Sequence, residues 1–516
     1  MTRKFNLLEE PWIPSIDVRG RQVMLSATDA LARSGEIAAI HATKPQTTAA
    51  IHAFLIAFVA SIFRPSDTGD IEQLYRDGRF VPERCRKYFE DWHDRFWLID
   101  DAFPFYQTLG DESSLGGTNA ASMLDYGRPY KDGSSTFYYA IGSEELSLSF
   151  DEAARLLVER QAFDLGGSTS NGSAKVSAIY NRAAIILQGR TLFETLVLNL
   201  PIVPRNDMPS WERRKPTGRG RVAITGPLQI LTLQSRRFLL FSGSDEHVTR
   251  IHYAPGEHTD DDDVFLRHSA LLLGWEYVEE KNGKTTVRWR PLRLSMGDSL
   301  WNEACRFVED GGDKTIVPQA FRNARYLRQR RLLNQEHYVF TAYGIENNNK
   351  KMLFQQKVAL ALRQEYIDCD GDLRQAYATA LRNASSCALD VRQALKKAIN
   401  VARNNASKLA PAKMTAEAAD IYMLGISSEF SALVIDAFPR DVVEIDGVWT
   451  VGEETLIRFE RRALSIAHRA YCEALSAFAT NPDLVNAYYA GLRSLRSYKR
   501  RYIESAKEEH GQEVAI

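Results

Sequence analysis

Residues 373–402 read LRQAYATALRNASSCALDVRQALKKAINVA, a stretch without proline or glycine. Apolar side chains recur in it at spacings of three and four, the period of one face of an α-helix. The apolar positions of this face are Leu373, Tyr377, Leu381, Ala384, Ala388, Val391, Leu395 and Ala402. A long amphipathic helix buries its apolar face against other elements, so the stretch predicts a helical region with more than one helix.

Further helical segments follow on the C-terminal side. We predict one helix over residues 415–438, ended by Pro439, and another over residues 453–480. Asn481-Pro482 provides an N-cap residue and a first-turn proline for a fourth helix, whose apolar stripe is Leu484, Tyr488, Leu492, Leu495, Tyr498 and Tyr502. Four amphipathic helices with short connections favour an antiparallel four-helix bundle, here over residues 356–516.

The preceding chain has a mixed pattern that predicts an α+β domain with irregular loops over residues 1–355. Residues 45–63 are apolar on all sides but contain His52 and are short for a membrane span, which indicates a buried helix. We predict further helices at 150–162 and 173–199. Strands are predicted in a hairpin around Arg19-Gly20, within 221–240, and in a hairpin over 275–294 whose turn contains Asn282-Gly283.

The composition is that of an ordinary globular protein. The 516 residues exceed one typical core, so two or three domains are expected. The 65 Lys+Arg against 66 Asp+Glu exclude a strongly basic, free-standing nucleic-acid binder, and nucleic-acid contact would need local basic patches or charged partners. The start has no apolar signal core, and scattered cysteines indicate reduced thiols, so a cytoplasmic protein is expected: Cys85, Cys305, Cys369, Cys387 and Cys472.

A small-residue segment, Gly167-Ser-Thr-Ser-Asn-Gly172, partly matches a phosphate-binding loop. It is placed before a predicted helix, where backbone amides suit phosphate. The lysine of such a loop arrives late, at Lys175, which argues against a nucleotide hydrolase. A surface loop, or a loop whose glycines let the backbone approach DNA closely, remain as interpretations.

Catalysis has no clear location in the sequence. His93-Asp94 resembles the dipeptide of metal-dependent phosphohydrolases, but the further ligands of such sites are not evident. The acidic run Asp260–Asp263 beside His258 is more typical of a solvated loop. We see no nucleophile elbow and no cofactor fingerprint, and we expect no catalytic residues, no cofactor and no metal.

Positive charge is concentrated in clusters, which favours a polyanionic partner. One cluster lies in a glycine-containing loop that could follow a phosphate backbone: Arg213, Arg214, Lys215, Arg219 and Arg221. The others are Arg325, Arg328, Arg330 and Arg331, and Arg493, Arg496, Lys499, Arg500 and Arg501 beside the last apolar stripe. Asn347-Asn348-Asn349-Lys350-Lys351 is a polar turn whose amide side chains could read base edges.

Several short motifs, taken in order, resemble the large subunit (CasA family) of the type I-E CRISPR Cascade complex. The opening Phe5-Asn-Leu-Leu-Glu-Glu-Pro-Trp-Ile-Pro14 is similar to the N-terminal signature of that family, and Pro104-Phe-Tyr-Gln107 to its PFxQ segment. Residues 166–172 match the position of its glycine-rich loop, and residues 196–200 match the end of the helix that follows. Gly344-Ile-Glu-Asn-Asn-Asn-Lys350 resembles its wedge hairpin.

The resemblance implies a non-catalytic subunit of a crRNA-guided antiviral complex. Such a subunit recognises the short flanking motif (PAM) of double-stranded target DNA, helps to open the duplex and recruits the helicase-nuclease, while base pairing reads the sequence. Its partners would be target DNA, crRNA, other Cascade subunits and that helicase-nuclease, with no membrane. A metal-dependent phosphodiesterase using His93-Asp94, or a purely structural scaffold, remain as alternatives.

The same resemblance implies roles for individual residues. The PAM-contacting loop would comprise Gly166, Gly167, Ser168, Asn171 and Gly172, and the wedge Asn347, Asn348, Asn349 and Lys350. Phe137, Tyr138 and Tyr139 would contact crRNA or neighbouring subunits. The residues expected to guide DNA are Arg213, Arg214, Lys215, Arg219, Arg493, Arg496, Lys499 and Arg500.

The sequence also departs from the family pattern. It lacks the zinc-binding cysteine cluster of some relatives, and Asn349 stands where some have a wedge glutamine. Arg267 and His268 are the candidates for the basic PAM finger.

Overall fold

The computed structural model describes residues 3–125, 147–165, 167–169, 172–175, 177–179, 182–215, 217–243, 246–259, 262–281, 284–294, 299–309, 314–348, 351–406 and 414–498. The chain divides into two compact units. The first comprises residues 1–296, 311–334 and 339–358, and the second residues 297–310, 335–338 and 359–516. The last segment of the first unit ends three residues beyond the predicted boundary, and the second unit also takes two short segments from the earlier chain.

The elements are numbered in chain order. The helices are α1 (Ala27–Ala32), α2 (Pro45–Phe63), α3 (Thr68–Asp77), α4 (Pro82–Trp92), α5 (Glu112–Leu115), α6 (Phe150–Phe163), α7 (Leu192–Leu198), α8 (Pro227–Leu231), α9 (Asp262–His268), α10 (Ala304–Val308), α11 (Gln319–Gln329), α12 (Gln364–Asp368), α13 (Gly371–Asn405), α14 (Met414–Ala432), α15 (Phe438–Arg440), α16 (Glu453–Ala474), α17 (Ser476–Thr480) and α18 (Val485–Arg496). The strands are β1 (Lys4–Asn6), β2 (Ile13–Asp17), β3 (Gln22–Leu25), β4 (Ile37–Ile40), β5 (Trp97–Ile99), β6 (Asn119–Ala120), β7 (Leu148–Ser149), β8 (Gly167–Thr169), β9 (Gly172–Ala174), β10 (Ala184–Gln188), β11 (Gly220–Arg221), β12 (Arg236–Ser242), β13 (His247–Pro255), β14 (Glu257–His258), β15 (Gly274–Lys281), β16 (Lys284–Pro291), β17 (Thr315–Ile316), β18 (His337–Asn348), β19 (Lys351–Arg363), β20 (Val442–Ile445) and β21 (Val448–Val451).

Helix α2 forms the centre of the first unit, with the bounds that the sequence predicts. Pro45 lies in its first turn, Arg64 ends it in the left-handed conformation, and every residue from Gln46 to Phe63 is buried. It is one of two described helices long and apolar enough to cross a membrane, Met414–Arg440 being the other, but its apolar window is entirely buried. A helix that is apolar on all sides is a core helix when protein surrounds it.

Aromatic rings surround the middle of α2. The Phe54 ring lies 5.4 Å from Trp12, 5.8 Å from Phe105 and 5.7 Å from Trp211, measured between ring centroids. These contacts are edge-to-face, an arrangement that the ring quadrupoles favour. The segments carrying Phe105 and Trp211 are therefore fixed to the core helix.

Small antiparallel sheets surround this core. The predicted hairpin around Arg19-Gly20 is confirmed, because β2 pairs with β3 and also with β4. The second predicted hairpin is also confirmed, since β15 pairs with β16 from Gly274↔Pro291 to Lys281↔Lys284. In a third sheet, β12 pairs along its length with β13, which also pairs with β6 and β7.

The predicted helix over residues 173–199 is wrong for most of its length. The segment contains β9, the buried strand β10 and only the short helix α7. Strand β10 pairs antiparallel with β18, from Ala184↔Tyr343 to Gln188↔Val339. A short apolar run fits a buried strand as well as a helix, and a pairing partner far along the chain decides between them.

The predicted pair of strands within residues 221–240 is also partly wrong. A short helix, α8, separates β11 from β12. Pro227 lies in its first turn, and the Asp207 carboxylate accepts hydrogen bonds from the backbone N–H of Leu228 and Gln229. A proline in the first turn and a carboxylate on the free N–H groups both stabilise a helix start.

The second unit is mainly helical, as predicted for the C-terminal region. Helix α13 packs against α14, α16 and α18, and α14 packs against α16. A Cβ at Gly491 of α18 would lie 2.6 Å from the Ala398 carbonyl oxygen of α13, so glycine permits this close approach of the two helices. Mixed α/β structure followed by a helical region is therefore the observed fold class.

The boundaries of these helices differ from the prediction in three places. The second helix passes Pro439 by widening into a π-helical turn over Leu433–Ala437. The third is interrupted at Leu475, between α16 and α17. The fourth begins at Val485 instead of at Asn481-Pro482, because the Asn481 carbonyl accepts from the N–H groups of Leu484 and Val485 in a turn.

A hairpin between α15 and α16 was not predicted. Its strands β20 and β21 pair from Val442↔Val451 to Ile445↔Val448 around Asp446-Gly447. Both turn residues have positive φ, 52° and 79°, the geometry of a tight hairpin turn. The Asp-Gly dipeptide is the signal that could have predicted it.

Candidate nucleic-acid interface

The glycine-rich segment is a β-hairpin, and not a loop at the start of a helix. Strand β8 pairs with β9 from Gly167↔Ala174 to Thr169↔Gly172, and the next helix, α7, begins only at Leu192. The interpretation as a phosphate-binding helix N-terminus is therefore wrong. Of the residues assigned to the PAM-contacting loop, Gly166 and Asn171 lie outside the described residues.

Gly172 brings this hairpin into contact with the basic loop. It has a φ of +116°, a conformation that side chains other than glycine rarely adopt. A Cβ at Gly172 would lie 2.5 Å from the Arg219 guanidinium nitrogen Nη2. The Arg219 guanidinium thus lies directly against the Gly172 backbone, and two features that the sequence analysis treated separately form one surface.

A buried arginine holds both ends of the hairpin. Arg236, at the start of β12, has no solvent exposure. Its Nη2 donates to the carbonyl oxygen of Leu165 at 2.6 Å, and its Nη1 donates to the carbonyl oxygens of Lys175 and Ser235. Because Leu165 and Lys175 flank the hairpin on its two sides, one planar guanidinium fixes the position at which the hairpin leaves the core.

Further buried polar groups fix Arg236. Its Nε lies 3.1 Å from the Asp164 carboxylate and donates to the Tyr253 hydroxyl at 3.0 Å. Arg160 binds the same carboxylate at 3.0 Å, and burial raises the pKa of Tyr253, with the negative charge of Asp164 acting in the same direction. Charged groups withdrawn from water are stable only when paired and hydrogen-bonded, and these groups satisfy that condition.

Sequence reasoning missed Arg236. The signal is present in the segment Arg236-Arg-Phe-Leu-Leu-Phe241, where alternation places Arg236 on the same face as the buried Phe238 and Leu240. An arginine at an inward position of a strand must have buried partners. Those partners are distant in the sequence, which explains why the pattern alone did not identify them.

The basic loop carries exposed positive charge next to the hairpin. Arg213 is neutralised by Glu257 at 2.7 Å. Four further cations of this loop are exposed: Arg214, Lys215, Arg219 and Arg221. The loop is itself held in place, because Thr217 donates to the Gln234 side chain at 2.7 Å. These side chains are available to phosphate groups.

The candidate wedge lies at the end of a long hairpin. In the three-stranded sheet β10–β18–β19, β18 continues to Asn348 and β19 begins at Lys351. Asn347, Asn348 and Lys351 therefore belong to strands and not to the predicted polar turn, whose centre, Asn349 and Lys350, lies outside the described residues.

The other candidate residues are distributed over both units. Arg493 and Arg496 are exposed on the last turns of α18, whereas Lys499 and Arg500 lie outside the described residues. Phe137, Tyr138 and Tyr139 also lie outside them. Of the finger candidates on α9, Arg267 pairs with Asp263 at 2.7 Å, and His268 is half-buried.

His93 and Asp94 both contact charged side chains near the start of the chain. His93 Nε2 lies 3.0 Å from the Glu9 carboxylate, and Asp94 pairs with Arg3 at 2.8 Å. The Arg3 guanidinium lowers the pKa of Asp94. Over the described residues, no three His, Cys, Asp or Glu side chains gather in a group that could hold a metal ion. This geometry does not favour the phosphodiesterase alternative.

Comparison with known proteins gives one consistent result. The family model described as CRISPR-associated protein Cse1 matches residues 6–469. A CRISPR-associated protein CasA/Cse1 of Thermus thermophilus is 32% identical over 328 residues, and the match spans 61% of this chain and 62% of the length of that relative.

Solved structures share the fold. Thermobifida fusca Cse1 has a TM-score of 0.76 at 19% identity, covering 96% of this chain and 97% of the other. A chain of a CRISPR RNA-guided surveillance complex has a TM-score of 0.74 at 18% identity, covering 96% of this chain and all (100%) of the other.

Proposed function

The chain belongs to the Cse1 (CasA) family, the large subunit of the type I-E Cascade complex, and on that basis we propose that it is the non-catalytic subunit that recognises the PAM of double-stranded target DNA. One observation carries the proposal: the glycine hairpin β8–β9, clamped by Arg236, has Arg219 against Gly172. A backbone without Cβ atoms can approach base edges closely, and adjacent cations bind phosphates. Base contacts and phosphate contacts together give position and specificity.

Duplex opening is the second part of the proposal. A tip at the end of β18 and β19 would enter the duplex beside the PAM and separate the first base pair. Unstacking costs a few kcal/mol per step, so a wedge needs rigid support. The pairing of β18 with β10 between Val339 and Tyr343 supplies that support.

We also infer that the long helices α13, α14, α16 and α18 form an antiparallel four-helix bundle. The packing of α13 against the other three supports this arrangement. The exposed Arg493 and Arg496 would guide target DNA. Recruitment of the helicase-nuclease and contact of Phe137, Tyr138 and Tyr139 with crRNA are further parts of the proposal, which rest on the family resemblance.

The near-zero net charge agrees with a subunit and not a free DNA binder. With a formal charge of −1 at pH 7, the chain has no strong overall attraction for a polyanion. Its exposed cations are grouped, so they act when other subunits hold the nucleic acid nearby. Purified alone, such a chain would bind DNA weakly.

Removing the basic-loop charges tests the proposal. In the reconstituted complex, replacing Arg214, Lys215 and Arg219 with alanine should weaken binding of target duplex. It should also reduce the slope of log K against log salt by about 3, since each phosphate contact contributes about 0.9. The measurement is a duplex titration at several salt concentrations.

The matched control replaces three other exposed cations, Arg79 before α4 and Arg86 and Lys87 on it, and should leave both affinity and slope unchanged. Equal loss in the two variants would mean that only total charge matters, and the basic loop would then have no special role.

A further inference from the structure

A cavity of about 140 Å³ opens beside the basic loop in the first unit. The turn Pro104–Leu109 lines one side, and Ser210, Trp211 and the loop from Arg213 to Thr217 line the other. Of these residues, only the cations of the loop have a role in the function proposed above. The cavity therefore needs an explanation of its own.

The turn is held in an unusual conformation. Tyr106 has a φ of 56°, which is uncommon for a residue other than glycine. Gln107 holds the turn in place: its side chain donates to the Leu98 carbonyl oxygen at 2.6 Å and accepts from the Leu240 N–H at 2.8 Å. Backbone strain that the surroundings maintain is a recurring feature of binding sites.

The cavity walls are aromatic. The rings of Phe105 and Tyr106 stack with their centroids 4.3 Å apart, and Trp211 lies 6.0 Å from Tyr106. At the mouth, Phe103 is 46% exposed, and the Arg95 guanidinium lies 3.8 Å from the Phe103 ring centroid. A cavity of roughly 150 Å³ holds one benzene ring, so this one has room for a single planar ring.

Two residues that line the cavity have buried hydroxyls without a hydrogen-bond partner. The Tyr106 hydroxyl and the Ser210 hydroxyl are both withdrawn from solvent, and neither forms a hydrogen bond within the described chain. Tyr106 as a whole is 4% exposed, and burial raises the pKa of its hydroxyl well above the ordinary value. Leaving a buried polar group unpaired is costly, so these groups point to a polar ligand that binds them.

Cations surround the mouth. Arg95, Arg214 and Lys215 line the cavity, and Arg214 and Lys215 are exposed to solvent. Aromatic walls, free hydroxyls and a cationic rim form the combination that binds single-stranded nucleic acid, in which the base stacks and the phosphates meet the cations. The same loop carries Arg219, which contacts the glycine hairpin.

We propose that this cavity binds one unstacked pyrimidine base of a nucleic-acid strand, with its flanking phosphates on Arg214 and Lys215. The base stacks on the aromatic wall, and its carbonyl oxygens accept hydrogen bonds from Tyr106 and Ser210. The inference rests on the proposed function, since it names the state of the strand that the duplex-opening subunit captures. The size of the cavity selects a single ring over a purine.

Photocrosslinking of the full chain to short strands tests the inference. The probes are strands of about ten nucleotides of dT, dA, U and A, long enough to span one site and its flanking phosphates, with one 5-iodo-pyrimidine in the dT and U strands. We expect the pyrimidine strands to bind about fivefold more tightly than the purine strands, and the crosslinks to map to Phe103, Tyr106 or Trp211. Preference for dT identifies a displaced DNA strand as the source, and preference for U identifies RNA.

Two variants localise the effect. Tyr106→Phe keeps the stacked ring and removes one hydroxyl, so dT affinity should fall about fivefold, the effect of one lost hydrogen bond. Phe103→Ala removes an exposed ring and should reduce affinity about tenfold. Tyr75→Phe, which removes a hydroxyl bonded to Glu194 elsewhere in the same unit, should change nothing.

Crosslinks at other residues, together with unchanged dT affinity in both cavity variants, would overturn the inference. The proposed function has a separate readout, the dependence of duplex binding by the complex on the basic loop and PAM. Duplex binding that survives while the cavity crosslinks are absent would reject the cavity alone. Cavity crosslinks without PAM-dependent duplex binding would reject the proposed function alone.

Discussion

Gly172 is the residue at which the hairpin and the basic loop meet. Replacing it with alanine should weaken PAM-dependent binding by the complex, because φ is +116° and the new Cβ would displace the Arg219 guanidinium. Alanine at a position of positive φ costs more than about 1 kcal/mol, and loss of the Arg219 phosphate contact should lower the salt slope by about 1. The measurement is duplex affinity over a salt series.

Gly218 provides the matched control for this prediction. It lies one residue from Arg219, but its φ is outside the left-handed region and no atom lies within 4 Å of an added Cβ. Gly218→Ala should bind duplex like the unchanged protein. If Gly172→Ala also binds normally, the contact with Arg219 has no part in recognition.

Arg236 should keep the same hairpin ordered through its buried hydrogen bonds to the chain on both sides of it. Arg236→Met removes the ion pair of Arg236 with Asp164 and its hydrogen bonds to the Leu165 and Lys175 carbonyl oxygens. Breaking a buried ion pair costs about 3–5 kcal/mol. We expect faster amide hydrogen exchange in a peptide covering residues 165–175, measured by mass spectrometry.

Arg237→Met is the control for Arg236. This neighbour in β12 donates to the carbonyl oxygens of Pro255 and Ser114, and so to different acceptors from those of Arg236. Amide hydrogen exchange in the 165–175 peptide should keep the rate that it has in the unsubstituted protein. Equal acceleration in both variants would show that the strand, and not the buried guanidinium, orders the hairpin.

At the residue scale, sequence reasoning selected Gly172 and Arg219 as candidates but did not pair them. Residue types and their local spacing in the sequence identify a glycine-rich segment and a basic segment. Their contact depends on a φ angle and on the folding of the chain between them, which no local pattern encodes. Arg236 and the Tyr106 hydroxyl remained unnoticed for the same reason.

Helix α2 carries a buried histidine whose effect on stability depends on pH. Burial, with a smaller contribution from Lys357, lowers the pKa of His52 from 6.5 to about 4, and its Nδ1 bonds the Thr48 carbonyl oxygen at 2.8 Å. Between these values the unfolded chain binds a proton that the folded chain does not. The contribution of His52 to the free energy of unfolding is therefore fully present above pH 6.5, and about 3 kcal/mol of it is lost as the pH falls to 4.

The check is the apparent melting temperature of the chain across the range from neutral pH down to the pKa of about 4, compared with that of His52→Leu. The variant should lose stability less steeply over this window, because no group at position 52 takes up a proton on unfolding. Other carboxylates titrate in both proteins and cancel in the comparison. Parallel curves would contradict the assignment of the low pKa to His52.

At the element scale, periodic segments were predictable and ambiguous ones were not. Helices α2 and α13 are predictable from composition and spacing, because a long apolar or amphipathic run of this kind is stable as a helix. The segment 173–199 was predicted as a helix although β10 is a strand, because Ala184–Gln188 fits both and the partner strand β18 decides. The Asp446-Gly447 dipeptide indicates a tight hairpin turn, but the hairpin was not predicted.

At the scale of the whole molecule, the chain combines a glycine hairpin, exposed cations and a helical region with a net charge near zero. The fold class and family follow from the ordered motifs, and the family match over residues 6–469 confirms the family. The two-unit division differs from a single cut because residues 297–310 and 335–338 join the C-terminal unit. Short segments exchanged between units leave no signature in hydrophobic pattern.

Target-duplex binding by the crRNA complex, reconstituted with and without this chain, is the decisive measurement for PAM recognition. Duplexes with matched and scrambled PAM are titrated over a salt series. We expect tight, salt-dependent binding only when both the chain and the correct PAM are present. Binding that ignores the PAM and does not change when the chain is omitted would contradict it, and would leave the chain a structural scaffold.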